Sequence, residues 1–293
     1  MPTVACLIAD PQRAALTEAM LVAAARDLRG EARWLDPGVA AEIRTGLTPG
    51  EATARGRAVL GDAPVDVAAL PAEGRRKRLL LSDMDSTMIT IECVDELAAC
   101  AGIKDQVAEI TSRTMNGELD FGQSVRARVA LLEGLPESVI ADICRDTLRP
   151  MPGAAVAVRT MRAHGVRCVL VSGGFTRFTG HVRELLGFEV DEANELEIVN
   201  GRLTGRLVGP LRDADAKLEA LRRHRDELGL ADSEVMAVGD GANDLPMLQA
   251  AGLGVAFRAH PRVQAAAPVN IRHGDLTALL YLQGYPRDAW VPG

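Results

Sequence analysis

The stretch from Arg78 to Leu97, RLLLSDMDSTMITIECVDEL, limits the fold of this chain more than any other. Its apolar run, Leu79–Leu80–Leu81, has the length of a buried strand and is short for a helix. The run stops at Asp83-Met84-Asp85-Ser86-Thr87. Charged residues directly after an apolar strand belong at the carboxyl edge of a parallel sheet, where open α/β folds place their ligands. Two carboxylates at i and i+2 of an extended segment point the same way, so both can serve one site. The same residues also suit a polar turn that caps the following helix, and the rest of the chain has to decide.

Strand–helix alternation returns downstream. A helix at Ala154–His164 leads into VRCVLVSGGF, a strand ending in Ser172-Gly173-Gly174, and a second helix covers Thr176–Leu186. Asn200-Gly201, set between alternating residues from Glu197 to Val208, signals a hairpin. Ala214–Leu228 is a charged amphipathic helix carrying Lys217, and EVMAVGDGANDLPML reads as strand, acidic glycine-rich loop and helix. Short strands follow at Gly254–Phe257 and Val269–Ile271. The pattern predicts an α/β fold, a mostly parallel sheet with helices on both faces. Its polar loops after Leu81, Val171 and Val238 then converge at one edge. Between Val94 and Arg149 lie four helices, separated in part by Asn116-Gly117 and Gly134-Leu135-Pro136. That insertion, about residues 94–150, is too long for an ordinary crossover and reads as a helical cap over the sheet edge.

Residues 1–74 read as a small separate α/β module with a linker: a strand at 3–9, a helix from Gln12 to Leu28 and a strand from Gly30 to Trp34. Asp36-Pro37-Gly38 is a turn signal. The Ala-, Gly- and Pro-rich segment after Thr48 has a weak period and does not complete the pattern. Gly74-Arg75-Arg76-Lys77-Arg78 reads as a solvated linker to the main domain, residues 75–293. The formal charge of −7 argues against a general nucleic-acid or acidic-membrane partner. No apolar run approaches the ~20 residues that span a bilayer, and the N-terminus lacks the pattern of a secretory signal. Five cysteines, without Cys-x-x-Cys spacing, suggest neither a zinc site nor a disulfide framework. A reducing cytoplasm is the expectation.

The converging loops bring Asp83 and Asp85, the Ser172 hydroxyl, and Asp240, Asn243 and Asp244, with Lys217 just before the last loop. Several carboxylates without nearby His or Cys favour a hard cation such as Mg²⁺. A lysine and a hydroxyl beside it make a cradle for a phosphoryl group. Asp83-Met84-Asp85-Ser86-Thr87, Ser172-Gly173-Gly174-Phe175, Lys217 and Gly239-Asp240-Gly241-Ala242-Asn243-Asp244 resemble, in order and spacing, the four motifs of the haloacid dehalogenase superfamily. The resemblance covers about residues 78–285. Within the cap, Glu92, Met115, Phe121 and Arg128 resemble the phosphoserine phosphatases.

The resemblance implies a Rossmannoid sheet with a helical cap and Mg²⁺-dependent hydrolysis of O-phospho-L-serine, the last step of L-serine synthesis. It makes Asp83 the nucleophile that forms an aspartyl-phosphate and Asp85 the general acid and base. Ser172, Gly173 and Lys217 would hold the phosphoryl oxygens. Asp83, the Asp85 carbonyl and Asp240 would ligate the metal, with Asp244 acting through its water, Asn243 nearby and Thr87 bracing the loop. Glu92 would pair with the substrate ammonium and Arg128 with its carboxylate, while Met115 and Phe121 wall the pocket. Arg126 competes with Arg128, which is preferred because it precedes the Val-x-Leu-Leu pattern of Val129–Leu132. Glu92 could instead only favour a helix start, Arg128 a solvated face, Phe121 the core, and Lys217 the outside of its helix. A phosphatase or phosphotransferase for another small amine phosphate, or a non-catalytic amino-acid sensor, would share much of this pattern. The N-terminal module vaguely resembles ACT-type regulatory domains and could support a homodimer.

Overall fold

The computed structural model describes residues 2–115 and 118–292, so the expected Asn116-Gly117 turn lies outside the described residues. The N-terminal module comprises β1 (Thr3–Ala9), α1 (Glu18–Asp27), β2 (Glu31–Asp36), β3 (Ala40–Thr45), α2 (Pro49–Leu60) and β4 (Val65–Pro71). Its antiparallel sheet has the order β2-β3-β1-β4, the split β-α-β-β-α-β arrangement. Two expectations need correction. The first helix starts at Glu18 rather than Gln12, because Asp10 closes a turn by accepting the Gln12 N–H at 2.8 Å and Thr17 caps the helix proper. The segment after Thr48 does complete the pattern. Thr48 and Glu51 form a capping box with Pro49 at the first helical position, and α2 buries Ala52, Gly56 and Leu60. Small residues weaken the apolar period, yet the packing requires them: a Cβ on Gly56 would lie 2.8 Å from Val67 Cγ1.

The basic run after this module is not a solvated linker. Arg75, largely covered, pairs with Glu42 at 2.8 Å and donates to the carbonyls of Leu282 and Tyr281 at 3.1 and 3.2 Å. Lys77 reaches the Gly74 and Ser233 carbonyls at 2.7 and 2.6 Å, and Arg76 stacks over Tyr285 at 3.9 Å. Position 66 makes a second joint. The buried Asp66 carboxylate accepts the N–H groups of Arg272, His273 and Gly274 at 2.8, 2.9 and 2.8 Å. Asp66→Ala strands those donors, and each unsatisfied buried group costs about 1–3 kcal/mol. The expected loss is about 3 kcal/mol or more, read as a lower urea midpoint. An unchanged midpoint would mean that water replaces the carboxylate.

The main sheet contains β5 (Leu79–Ser82), β6 (Arg167–Phe175), β7 (Val190–Val199), β8 (Arg202–Val208), β9 (Val235–Gly239), β10 (Leu253–Phe257) and β11 (Val269–Ile271). Its order is β11-β10-β9-β5-β6-β7-β8, and β8 alone runs antiparallel, to β7. The β7–β8 turn places Asn200 and Gly201 at φ +53° and +72°, the two positive values that a tight hairpin turn demands. Strand alternation divides the apolar run between the two faces. Leu80 packs with Leu170 and Met236 in one core, while Leu79 and Leu81 pack with Val169 and Ala237 in the other. Helices α7 (Ala154–Ala163), α8 (Thr176–Leu186) and α12 (Ala278–Leu282) cover the first face; α9 (Ala214–Glu227) and α10 (Leu245–Ala250) cover the second. The short α11 (Pro261–Ala266) follows β10.

Between β5 and α7 stand the four expected helices: α3 (Cys93–Ala101), α4 (Lys104–Met115), α5 (Phe121–Ala130) and α6 (Ser138–Asp146). The α5–α6 connection is tied to β8 by main-chain bonds, Gly134 N–H to Leu203 O at 2.8 Å and Leu203 N–H to Leu135 O at 2.9 Å. These bonds hold α5 beside the carboxyl edge.

Candidate active site

Because β9, β5 and β6 are neighbours, the loops that follow them meet. The Asp83 N–H donates to Val238 O at 3.0 Å, extending the ladder one residue past β5 and delivering a nearly buried carboxylate to the edge. Ser86 turns the chain at φ +52°. Asp85 Oδ1 then accepts the Cys93 N–H at the start of α3, at 2.9 Å, and Oδ2 accepts the Ser172 hydroxyl at 3.2 Å. Asp85 thus takes a main-chain N–H at the start of α3 and also lines the cavity. Ser172 Oγ in turn accepts the Gly174 N–H at 2.8 Å.

Lys217 does not lie on the outside of α9. Its ammonium is buried, 2.6 Å from Asp83 Oδ1 and 2.7 Å from Asp244 Oδ1. Asp244 Oδ2 accepts the Gly241 N–H at 3.0 Å, and Asp240 Oδ1 accepts the Thr87 hydroxyl at 3.0 Å. Gly239 is obligatory here, since a Cβ would sit 2.4 Å from the Asp244 carboxyl carbon.

One carboxylate oxygen each of Asp83, Asp240 and Asp244 lies within 4.8 Å of the others. With Asp85 beside them, a single lysine leaves this cluster over-negative. Burial, then Asp244, push Asp83 well above the usual carboxylate range despite Lys217. Burial also raises Asp85 against its two donors, and burial with Asp244 pushes Asp240 up to about 6. Burial pulls Lys217 down, but Asp244 and Asp83 outweigh it and hold the ammonium above its ordinary value. A divalent cation relieves the repulsion, and the all-oxygen donor set suits a hard one. The Asp85 carbonyl, which accepts no hydrogen bond from a described residue, offers a further ligand.

Asp83, Asp85, Ser172 and Asp240 form the floor of a cavity of about 590 Å³ whose other wall is the cap, with Lys217 and Asp244 buried behind them. Glu92, Asp95, Phe121, Ser124 and Arg128 line it, whereas Arg126 is exposed. Glu92 stands at the N-cap position of α3 without a capping bond; it accepts the Ser86 hydroxyl at 2.6 Å instead. Burial, reinforced by Asp85, pushes its carboxyl up to about 7. Burial lowers Arg128, with Asp95, Glu92 and Asp85 opposing. Phe121 reaches over the β6 loop, its ring tip 3.1 Å from where a Gly173 Cβ would be. Asn243 also lines the cavity, while the Met115 side chain lies outside the described residues.

Sequence reasoning missed Asp95 and Asn194. Asp95, three residues after Glu92 on the same helical face, was reachable from spacing. Asn194 is buried on β7, donates to Gly173 O at 2.8 Å and accepts the Arg212 N–H at 2.7 Å, bracing the β6 loop against the approach to α9. A lone Asn in a strand gave only its poor strand propensity as a signal.

A model of the haloacid dehalogenase-like hydrolases matches residues 80–249. The phosphoserine phosphatase of Streptomyces coelicolor is 48% identical over 76% of this chain and 55% of its own length. The chain thus spans about half the length of that curated relative. A crystal structure of a probable phosphoserine phosphatase from Vibrio cholerae superposes with a TM-score of 0.80 at 33% identity, covering 98% of this chain and 88% of that one. A structure described as a phospho-aspartyl intermediate analogue of phosphoserine phosphatase gives 0.65 at 36% identity, over 70% of this chain and 98% of its own.

Proposed function

Because the chain belongs to the haloacid dehalogenase-like hydrolases, we propose that it is a phosphoserine phosphatase, hydrolysing O-phospho-L-serine to L-serine and phosphate. One observation carries the reading: a single cavity joins Asp83 and Ser172 on its floor, with Lys217 buried 2.6 Å behind Asp83, to a carboxyl, Glu92, and a guanidinium, Arg128, from the cap. A phosphate, an ammonium and a carboxylate are the three charges of phosphoserine. The relative described as a phospho-aspartyl analogue supports the covalent route.

In this mechanism Asp83 attacks phosphorus and forms an aspartyl-phosphate as the P–O bond to serine breaks. Asp85, which its burial favours as a proton carrier, protonates the departing serine oxygen. It then takes a proton from the water that attacks the acyl phosphate, releasing inorganic phosphate and restoring Asp83. Such acid–base steps contribute ~10²–10⁴-fold. Lys217, the Ser172 hydroxyl and the Gly173 N–H hold the phosphoryl oxygens. A bound Mg²⁺, on Asp83, Asp240 and the Asp85 carbonyl with Asp244 and Asn243 outside them, would neutralise the charge that otherwise repels an anionic nucleophile from a phosphate. Phe121 excludes water above the substrate.

No helix among the described residues is long and apolar enough to cross a membrane. The N-terminal module, residues 1–74, serves assembly in this reading. Among the described residues its strand β2 pairs only with β3, leaving an open edge for a second copy.

The test is phosphate release from L-phosphoserine, phosphothreonine, phosphoethanolamine and p-nitrophenyl phosphate, with and without Mg²⁺. Magnesium-dependent preference for L-phosphoserine is expected. Arg128→Ala should cost about 10–100-fold in kcat/KM on phosphoserine, the worth of a charge-assisted pair, and little on phosphoethanolamine, which has no carboxylate. Equal losses on both would make Arg128 structural, and no release from any substrate would reject the phosphatase reading.

A further inference from the structure

A second cavity, of about 380 Å³, lies between the N-terminal module and the β10–β11 end of the main sheet. Asp10 and Arg13 line it from the β1–α1 loop; Arg258, Arg272, His273 and Asp275 line it from the loops after β10 and β11. Its two carboxylates are already engaged. Asp10 accepts the Gln12 N–H and faces Arg13 at 3.9 Å, while Asp275 accepts both the N–H and the hydroxyl of Thr277. The remaining cations make few direct contacts. Arg258 reaches only the Gly274 carbonyl at 3.3 Å and Met151 sulfur at 4.0 Å. Among the described residues, the side chains of Arg272 and His273 have no hydrogen-bond or ion-pair partner. The lining thus carries three guanidinium groups, of Arg13, Arg258 and Arg272, against two carboxylates, a local excess of one positive charge in a chain whose formal charge is −7.

The frame around these cations is rigid. Asp66 pins the backbone of residues 272–274 through three hydrogen bonds. Arg258 has a left-handed backbone, φ +44°, fixed by its N–H bond to Ile271 O at 2.8 Å. Such non-glycine conformations concentrate at ligand clamps, and preorganisation lowers the cost of binding. The cavity is separate from the active site, and the β10–α11 connection is the partition: Arg258 lies on one side, while His260, Arg262 and Val263 line the other.

We propose that this pocket binds a small oxyanion of the phosphate class, either inorganic phosphate or a phosphomonoester. Two guanidinium forks match phosphate oxygens in pairs, and the imidazole of His273 supplies a further donor.

The test titrates the full chain in EDTA with inorganic phosphate and, separately, with glycerol phosphate, by calorimetry. Without metal the active site opposes a dianion with its carboxylates, so saturable binding reports the second pocket. The expected result is one equivalent bound, about tenfold weaker in Arg258→Gln and again in Arg272→Gln. The tighter of the two anions identifies the source. Both arginines are exposed, and an unchanged melting temperature in their variants shows that the fold is kept. Absence of binding in EDTA, or binding that survives both substitutions, overturns the proposal. The phosphatase reading is untouched by either outcome, because its test is turnover with Mg²⁺.

Discussion

Asp83→Asn is expected to abolish turnover, by about 10⁴-fold or more, as loss of a catalytic nucleophile does elsewhere, while leaving the protein folded. The amide fills the same space but cannot form the acyl phosphate. Acid quenching with labelled phosphoserine should trap protein-bound phosphate in the wild type and none in the variant. The stability effect has the opposite sign. Asp83 is held above its ordinary pKa by burial and by Asp244, with Asp240 and Asp85 adding to it. A group raised on folding lowers stability as pH climbs through the window above its unfolded value. Removing its charge should therefore raise the melting temperature in EDTA at pH 8 and matter less near pH 4. A variant with more than a few per cent of wild-type activity would sink the covalent mechanism.

Lys217→Met should be the most destabilising single change at the site. The ammonium is buried between Asp83 and Asp244, at 2.6 and 2.7 Å. Taking one partner from a buried ion pair leaves an uncompensated charge and costs about 3–5 kcal/mol, roughly 10 °C in melting temperature for a domain this large. Turnover should fall as well, because Lys217 also holds the phosphoryl group. The double variant Asp83→Asn/Lys217→Met separates pairing from packing. Asp83→Asn should raise the melting temperature more in the Lys217→Met background than in the wild type, since there the carboxylate it removes is stranded and the two changes share a partner. An equal effect of Asp83→Asn in both backgrounds would mean that Lys217 acts through its aliphatic stem.

Much of the main sheet was readable because burial on both faces writes a strand as an apolar run closed by polar loops. Leu79–Leu81, Val169–Val171 and Val235–Val238 all follow that rule. The Asn200-Gly201 hairpin was readable because few residues tolerate two positive φ values in succession. The second half of the N-terminal module was not: Ala52 and Gly56 pack α2 tightly on β4 while giving almost no hydrophobic period. Arg75 and Lys77 misled for a related reason. Their charges are satisfied by Glu42 and by carbonyls from Leu282 and Ser233, partners far along the chain.

The sequence by itself determined the parallel α/β order, the cap insertion and the set of acidic, hydroxyl and lysine groups at three strand ends, because each depends on periodicity or local spacing. Tertiary structure alone decided the electrostatics. It buried Lys217 between two carboxylates, turned Arg128 rather than Arg126 into the cavity, braced Gly173 with Asn194 and brought Arg258 and Arg272 to one cavity against the N-terminal module. Charge interactions depend on distance and dielectric, and neither is written in the order of residues.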